Sequence, residues 1–308
     1  MKVSLVVTVL NEEKTIKALL KSIARQTLPP DEVIIIDGGS TDRTVEKIRD
    51  NKLKLRAYIA KGANRAKGRN LGVNYSKNEI IAITDAGGTL DKDWLKEITR
   101  PFKDETVQVV AGYYRAKAKT VFEKCVTPYA LVMPDKINPQ TFLPASRSMA
   151  IRKEAFWRVG GFPEQFSDNE DFVFANRLKK EKVKIVFQKG AIVNWFPRSS
   201  LKGFWTMIYR FSRGDARVGL RRLKVLSIFW RYFIFLSLLA IGQVLFPEAT
   251  YLLAVIFSLY LLWSVVKNFR HVKDWWAFFW LPVLQLTADW AVMAGTLEGI
   301  CSPLKDER

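Results

Sequence analysis

Residues 3–13, VSLVVTVLNEE, read with IIIDGGSTD at 34–42 and ITDAGG at 83–88, decide the fold. Each is a short apolar, β-branched run that breaks into polar residues and glycine. Runs that stay apolar at every position, rather than alternating, belong to strands buried on both faces, as in parallel sheets. Helical patterns lie between them. Residues 12–23 place Ile16, Leu19, Leu20 and Ile23 on one face, and residues 44–49 and 65–75 follow the same logic. Strands at 3–9, 33–36, 53–59 and 80–84, alternating with helices, predict βαβ units in an α/β domain with a mainly parallel, Rossmann-like sheet. Ligands of such sheets bind at the carboxyl ends of the strands. Residues 8–12, 37–42 and 85–88 therefore share one rim.

Beyond this half the pattern is less regular. Strands are expected at 107–113, 148–151 and 183–187, and helices at 153–159 and 168–180, the last capped by Asp168 or Asn169. Residues 117–138 give no clear period. Three apolar runs close the chain, at about 228–246, 249–266 and 275–297, each near the length that crosses a bilayer. The expected organisation is a domain at 1–200, an interfacial basic segment at 201–225 and a helical membrane region at 226–300.

The 308 residues carry 49 Lys and Arg against 30 Asp and Glu, a net charge of +19. Nucleic acid is not needed to explain this, because bases gather beside the apolar runs: Arg213, Arg217, Arg221, Arg222 and Lys224 before the first, and a basic loop at 267–273 after the second. The 247–248 turn between the first two runs carries no positive charge. The positive-inside rule then puts the N-terminal domain in the cytosol, and the short apolar stretch after Met1 and Lys2 is too brief for a signal peptide. Arg231 is expected to snorkel to the membrane edge. Asp289, inside the third run, is either a functional acid facing protein or water, or an ordinary one in a re-entrant segment. Two cysteines and the single His271 leave no disulfide framework, no multi-histidine metal site and no histidine triad in the soluble part. Chemistry must rest on carboxylates, hydroxyls and backbone amides.

Asp37 and Asp85 stand at strand ends before glycine turns, where an acid can meet ribose, base or a diphosphate-bound cation. Glu170 and Asp171 begin a helix, where an acid facing the site could deprotonate a hydroxyl. Each has a plain structural reading as a turn or helix start. Their order changes the odds. VSLVVTVLNEE, IIIDGGSTD, GRNLG, ITDAGG, GGFPE and NEDFVFANRL together resemble the family 2 glycosyltransferases, inverting enzymes of the GT-A fold, over about residues 3–200. The resemblance implies that Thr8, Asn11 and Glu12 help to hold the nucleotide, and that Asp37 contacts its base, uracil in many members. It implies that Arg69 and Asn70 lie near the donor, and that Asp85 is the first acid of a DxD-type motif handling ribose, diphosphate and a Mg²⁺ or Mn²⁺ ion. Asp171 would be the catalytic base, with Glu170 beside it. Two departures bear on the metal: Gly87 stands where the second acid usually does, and residues 193–195 offer no histidine.

The expected activity is inverting transfer from a nucleotide sugar, UDP-linked by preference, to a hydroxyl of a lipid or lipid-linked saccharide. Residues 201–209, with Arg210 and Arg213, read as the interfacial segment that would hold the site at the bilayer. The alternative is a polyprenyl-phosphate (dolichyl-phosphate) monosaccharide synthase, whose phosphate nucleophile needs no general base. A processive polysaccharide synthase is disfavoured by the missing Q-x-x-R-W motif, and an inactive scaffold by the joint presence of Asp37, Asp85 and Asp171.

Overall fold

The computed structural model describes residues 1–220, 222–245 and 248–302. Arg221 and the expected boundary at Phe246 and Pro247 lie outside them. The chain divides into two units: Met1–Lys117 with Val132–Phe196, and Ala118–Leu131 with the residues from Pro197 on.

In the first unit, strand β1 (Val3–Val9) is the axis. It pairs in parallel with β2 (Glu32–Asp37) on one side and β4 (Ile80–Asp85) on the other, and β2 pairs in parallel with β3 (Arg56–Ile59). The sheet continues beyond β4 with β7 (Met149–Arg152), β6 (Val109–Ala116), β8 (Ile185–Trp195) and β5 (Gly88–Leu90). The β4–β7, β7–β6 and β8–β5 pairings are antiparallel, so the sheet is mixed. The strands β3, β2, β1 and β4 form an all-parallel block, as the unbroken apolar runs of β1, β2 and β4 predict, and β6 also pairs in parallel with β8.

Helix α1 (Ile16–Ala24) starts four residues later than its sequence pattern, with Ile16, Leu19, Leu20 and Ile23 buried. Backbone bonds to neighbouring loop residues hold 11–13 out of the helix. Helices α2 (Thr44–Arg49) and α3 (Arg65–Tyr75) follow β2 and β3. α3 lies close on β1: a Cβ at Gly72 would come 2.3 Å from Val6 Cγ1, so only glycine permits that approach. Helices α4 (Trp94–Thr99), α6 (Lys153–Arg158) and α7 (Glu170–Lys180) cover the rest. Asn169 takes the N-cap position of α7 at φ 64°, without a capping bond from its side chain. Strand β8 runs well past the expected 183–187, because residues 189–191 form a bulge between the pairs Gly112–Gln188 and Tyr113–Ile192.

The second unit begins with α5 (Val121–Ala130), which a Thr120–Glu123 capping box starts. Phe122 meets Trp280 edge to face at 4.9 Å, and the Tyr129 hydroxyl reaches Gln285 Oε1 at 3.2 Å. Helix α8 (Leu201–Arg217) is followed by α9 (Leu223–Leu245), α10 (Ala249–Val272) and α11 (Ala277–Cys301). These last three are each long and apolar enough to cross a membrane. The expected basic loop at 267–273 is instead helical up to Val272, with Lys273 ending α10 in the left-handed conformation. α8 packs on α11, where a Cβ at Gly295 would fall 2.3 Å from the Tyr209 carbonyl oxygen. Asp289 is buried and joins all three long helices. Its Oδ2 accepts from Arg231 (3.0 Å) and Tyr232 (3.1 Å) of α9 and from Tyr260 of α10, and its Oδ1 accepts from Gln285. Arg231 therefore pairs with Asp289.

A candidate active site at the strand ends

The β1 register sets two acids on either side of it: Val9 opposite Asp37 and Thr8 opposite Asp85. Two strand spacings, about 10 Å, separate them. Loops 10–13 and 38–44 are tied together by their own side chains. Asn11 N donates to Ser40 Oγ (2.8 Å), Thr41 N to Asn11 Oδ1 (2.9 Å), Glu12 N to Thr44 Oγ1 (2.7 Å) and Glu13 N to Asp42 Oδ2 (3.1 Å). Asp37 is buried, and its carboxylate accepts from Gly39 N, Ser40 N and Ser40 Oγ at 2.6–2.8 Å. These motif residues shape the rim as much as they could bind on it. Thr8 is half-buried beneath α3, its methyl facing Gly68.

Arg69 is the centre of the other side. Only 1% exposed, it reaches three carboxylates from one guanidinium: Nη2 to Asp85 Oδ1 (2.8 Å), and Nη1 to Glu170 Oε1 (2.7 Å) and Asp171 Oδ1 (3.2 Å). Its face lies 5.2 Å from the Phe162 ring centre. α3 supplies Arg69, β4 ends in Asp85, and α7 begins with Glu170 and Asp171. Three elements far apart in sequence thus meet at one ion cluster. Burial opposes ionisation of Asp85, but the Arg69 guanidinium, with Arg147 and Arg65 beyond it, holds its carboxyl below the usual range. Burial pushes the Glu170 carboxyl up, and the neighbouring Asp171 adds to it.

Asp171 and Asp85 are the exposed acids of the cluster: their side chains are 30% and 27% exposed, against 4% for Glu170. Asp171 Oδ2 accepts from Ser146 Oγ (2.9 Å) and Ser146 N (3.2 Å). Glu170 sits behind Arg69, so its contact is with the guanidinium, not the rim. Asn70 is engaged by protein. Its amide is taken up by the 160–164 turn, Nδ2 donating to Phe162 O (2.8 Å) and Glu164 Oε1 (2.9 Å) and Oδ1 accepting from Phe162 N (2.9 Å). Arg65, one helical turn before Arg69, donates to Ser167 O and Asp168 Oδ1.

Two residues here escaped the sequence reading. Ser146 orients Asp171, and Arg147 lies over the rings of Tyr114 (4.8 Å) and Trp195 (5.4 Å). No spacing rule marks either one. A divalent cation fits the side chains poorly. Among the described residues no three Asp, Glu, His or Cys side chains are arranged to hold a metal ion. The guanidinium of Arg69 stands among Asp85, Glu170 and Asp171. Asp85 Oδ2 alone remains on the 85–88 turn.

Residues 4–160 match the model of glycosyl transferase family 2. The chain belongs to that family. The match contains Asp37, Arg69 and Asp85, and Asp171 lies beyond it. The family 2 chain is 25% identical over 223 residues to the O-antigen chain rhamnosyltransferase RfbN of Salmonella typhimurium, covering 67% of this chain and 71% of the relative. It is 24% identical over 287 residues to a dolichyl N-acetyl-α-D-glucosaminyl phosphate 3-β-D-2,3-diacetamido-2,3-dideoxy-β-D-glucuronosyltransferase of Methanococcus voltae, covering 82% and 85%. Three further relatives are matched over 33%, 38% and 62% of their own length. The solved mannosyltransferase PcManGT of Pyrobaculum calidifontis, in complex with GDP-Man and Mn²⁺, superposes with a TM-score of 0.69, covering 100% of this chain and 88% of that one at 17% identity. Such an identity shows the shared GT-A fold. The protein is a glycosyltransferase that uses a nucleotide-sugar donor.

Proposed function

We propose that this glycosyltransferase moves a sugar, with inversion, from a nucleoside-diphosphate donor to a hydroxyl of a lipid-linked saccharide, with Asp171 as base. The observation that carries this is the state of Asp171: Arg69 holds its Oδ1 and Ser146 its Oδ2, while the side chain keeps 30% exposure. Asp171 takes the acceptor hydroxyl's proton as that oxygen bonds to the anomeric carbon. The carbon's bond to the diphosphate oxygen breaks, and its electron pair leaves with the nucleotide. Attack from the opposite face inverts the centre. Glu170 acts through Arg69, holding it in place rather than touching substrate. Thr8, Asn11, Glu12 and Asp37 form the nucleotide side of the rim, and UDP-sugars are the expected donors.

The lipid acceptor is supported by α9, α10 and α11, and by the dolichyl phosphate in the name of the Methanococcus voltae relative. The bases that precede α9 favour a cytosolic first unit. The test supplies labelled UDP-, GDP- and dTDP-sugars to membranes containing the protein, then assigns the anomeric linkage of the lipid-extracted product by NMR. A glycosidic product of inverted configuration is expected. Retained configuration, or sugar joined to a lipid phosphate, would contradict the proposal.

A further inference from the structure

When the bond to the anomeric carbon breaks, the departing diphosphate gains a negative charge that the site must meet. The side chains around Asp85 provide for this without a second acid. Arg69 is buried and already shared by three carboxylates, and Arg65 donates to Ser167 and Asp168. Arg147 differs from both. Thr84 Oγ1 donates to the Arg147 carbonyl at 2.9 Å, which fixes its backbone beside the end of β4, one residue from Asp85. Its other neighbour, Ser146, holds Asp171. The guanidinium is half-buried between the Tyr114 and Trp195 rings, which orient its plane and use none of its five N–H donors. Among the described residues its side chain makes no hydrogen bond or ion pair to a protein acceptor.

A stacked, half-desolvated guanidinium with free donors is built to grip a phosphate bidentately. We infer that Arg147 binds the diphosphate of the sugar donor and takes up the charge of the leaving nucleotide, in the role that a cation bridging two acids would otherwise fill. This rests on the nucleotide-sugar reading above, and it makes donor binding independent of added metal. Arg147 lies between the turn that carries Asp85 and the serine that holds Asp171, so one short segment serves both the leaving group and the base.

The test is calorimetric titration of the purified full chain in detergent with UDP, GDP and dTDP and the matching monophosphates, in EDTA and in Mn²⁺. At least one diphosphate is expected to bind in EDTA. Arg147→Gln is expected to weaken it by roughly ten-fold or more, to weaken the monophosphate far less, and to lower the melting temperature only slightly. Arg147→Lys should recover part of the loss. A change in the diphosphate-to-monophosphate ratio cannot come from a merely loosened fold. Binding that requires Mn²⁺, or a ratio untouched by Arg147→Gln, would overturn the inference and leave the transferase reading standing. Binding of no nucleotide under either condition would remove both.

Discussion

Arg69 carries one positive charge against Asp85, Glu170 and Asp171, and the mismatch shows in opposite shifts. Asp85 is held below its ordinary 3.8 despite burial, because Arg69, Arg147 and Arg65 favour its anion. Glu170 is pushed above its ordinary 4.5 by burial first and by Asp171 second. The two contributions to stability fall in different windows. The folded state binds a proton at Asp85 less readily than the unfolded chain, so that stabilisation is present above pH 3.8 and lost as pH falls through the lowered pKa. The folded state keeps the Glu170 proton longer than the unfolded chain does, so stability is lost as pH rises above 4.5. Glu170→Gln should flatten the decline of melting temperature above pH 4.5 and leave the acid-side loss intact. Melting curves taken across pH would check this, and an unchanged slope above pH 4.5 would show that the Glu170 proton is not coupled to folding.

At the level of elements, the parallel half of the sheet was legible because β1, β2 and β4 are buried on both faces and so read as unbroken apolar runs. Thr44–Arg49 and Arg65–Tyr75 are helices with the bounds their patterns give. What failed has a physical cause in each case. Within residues 117–138 the one α-helix, α5, packs against α11, some 150 residues later. Strand β8 looked finished at Phe187 because its bulge places Lys189 and Gly190 mid-strand. Of the site, the acids were visible as motifs, whereas Ser146 and Arg147 declare themselves only by contact. Arg69 was visible as a donor-side residue and is in fact the hub joining Asp85 to Asp171. Asp289 faces protein, as one of its two readings has it, and links α9, α10 and α11. Inter-helix hydrogen bonds in membranes average roughly 0.6 kcal/mol. Asp289→Leu strands Arg231, Tyr232 and Tyr260 together, and should cost on the order of 2 kcal/mol. A clear fall in the melting temperature of the detergent-solubilised protein is expected. An unchanged value would mean that the cluster does not hold the helices together.

For the whole molecule, two materials share one chain: a mixed α/β unit with an acid-lined rim, and a helical unit whose three long helices are mainly apolar. The mean hydropathy of −0.01 averages the two. The charge of +19 suits the anionic diphosphate of a nucleotide-sugar donor. In the proposed reaction Asp171 removes a proton from an acceptor hydroxyl at a membrane. The most direct measurement is transfer of labelled sugar from the preferred nucleotide donor into the lipid extract, comparing the wild type with Asp171→Asn at matched membrane levels and saturating donor. Transfer reduced by about 10²- to 10⁴-fold, with donor affinity retained, is the expected result. Label reaching the lipid at the wild-type rate in Asp171→Asn would contradict the account, and would point to a lipid phosphate that attacks without a base.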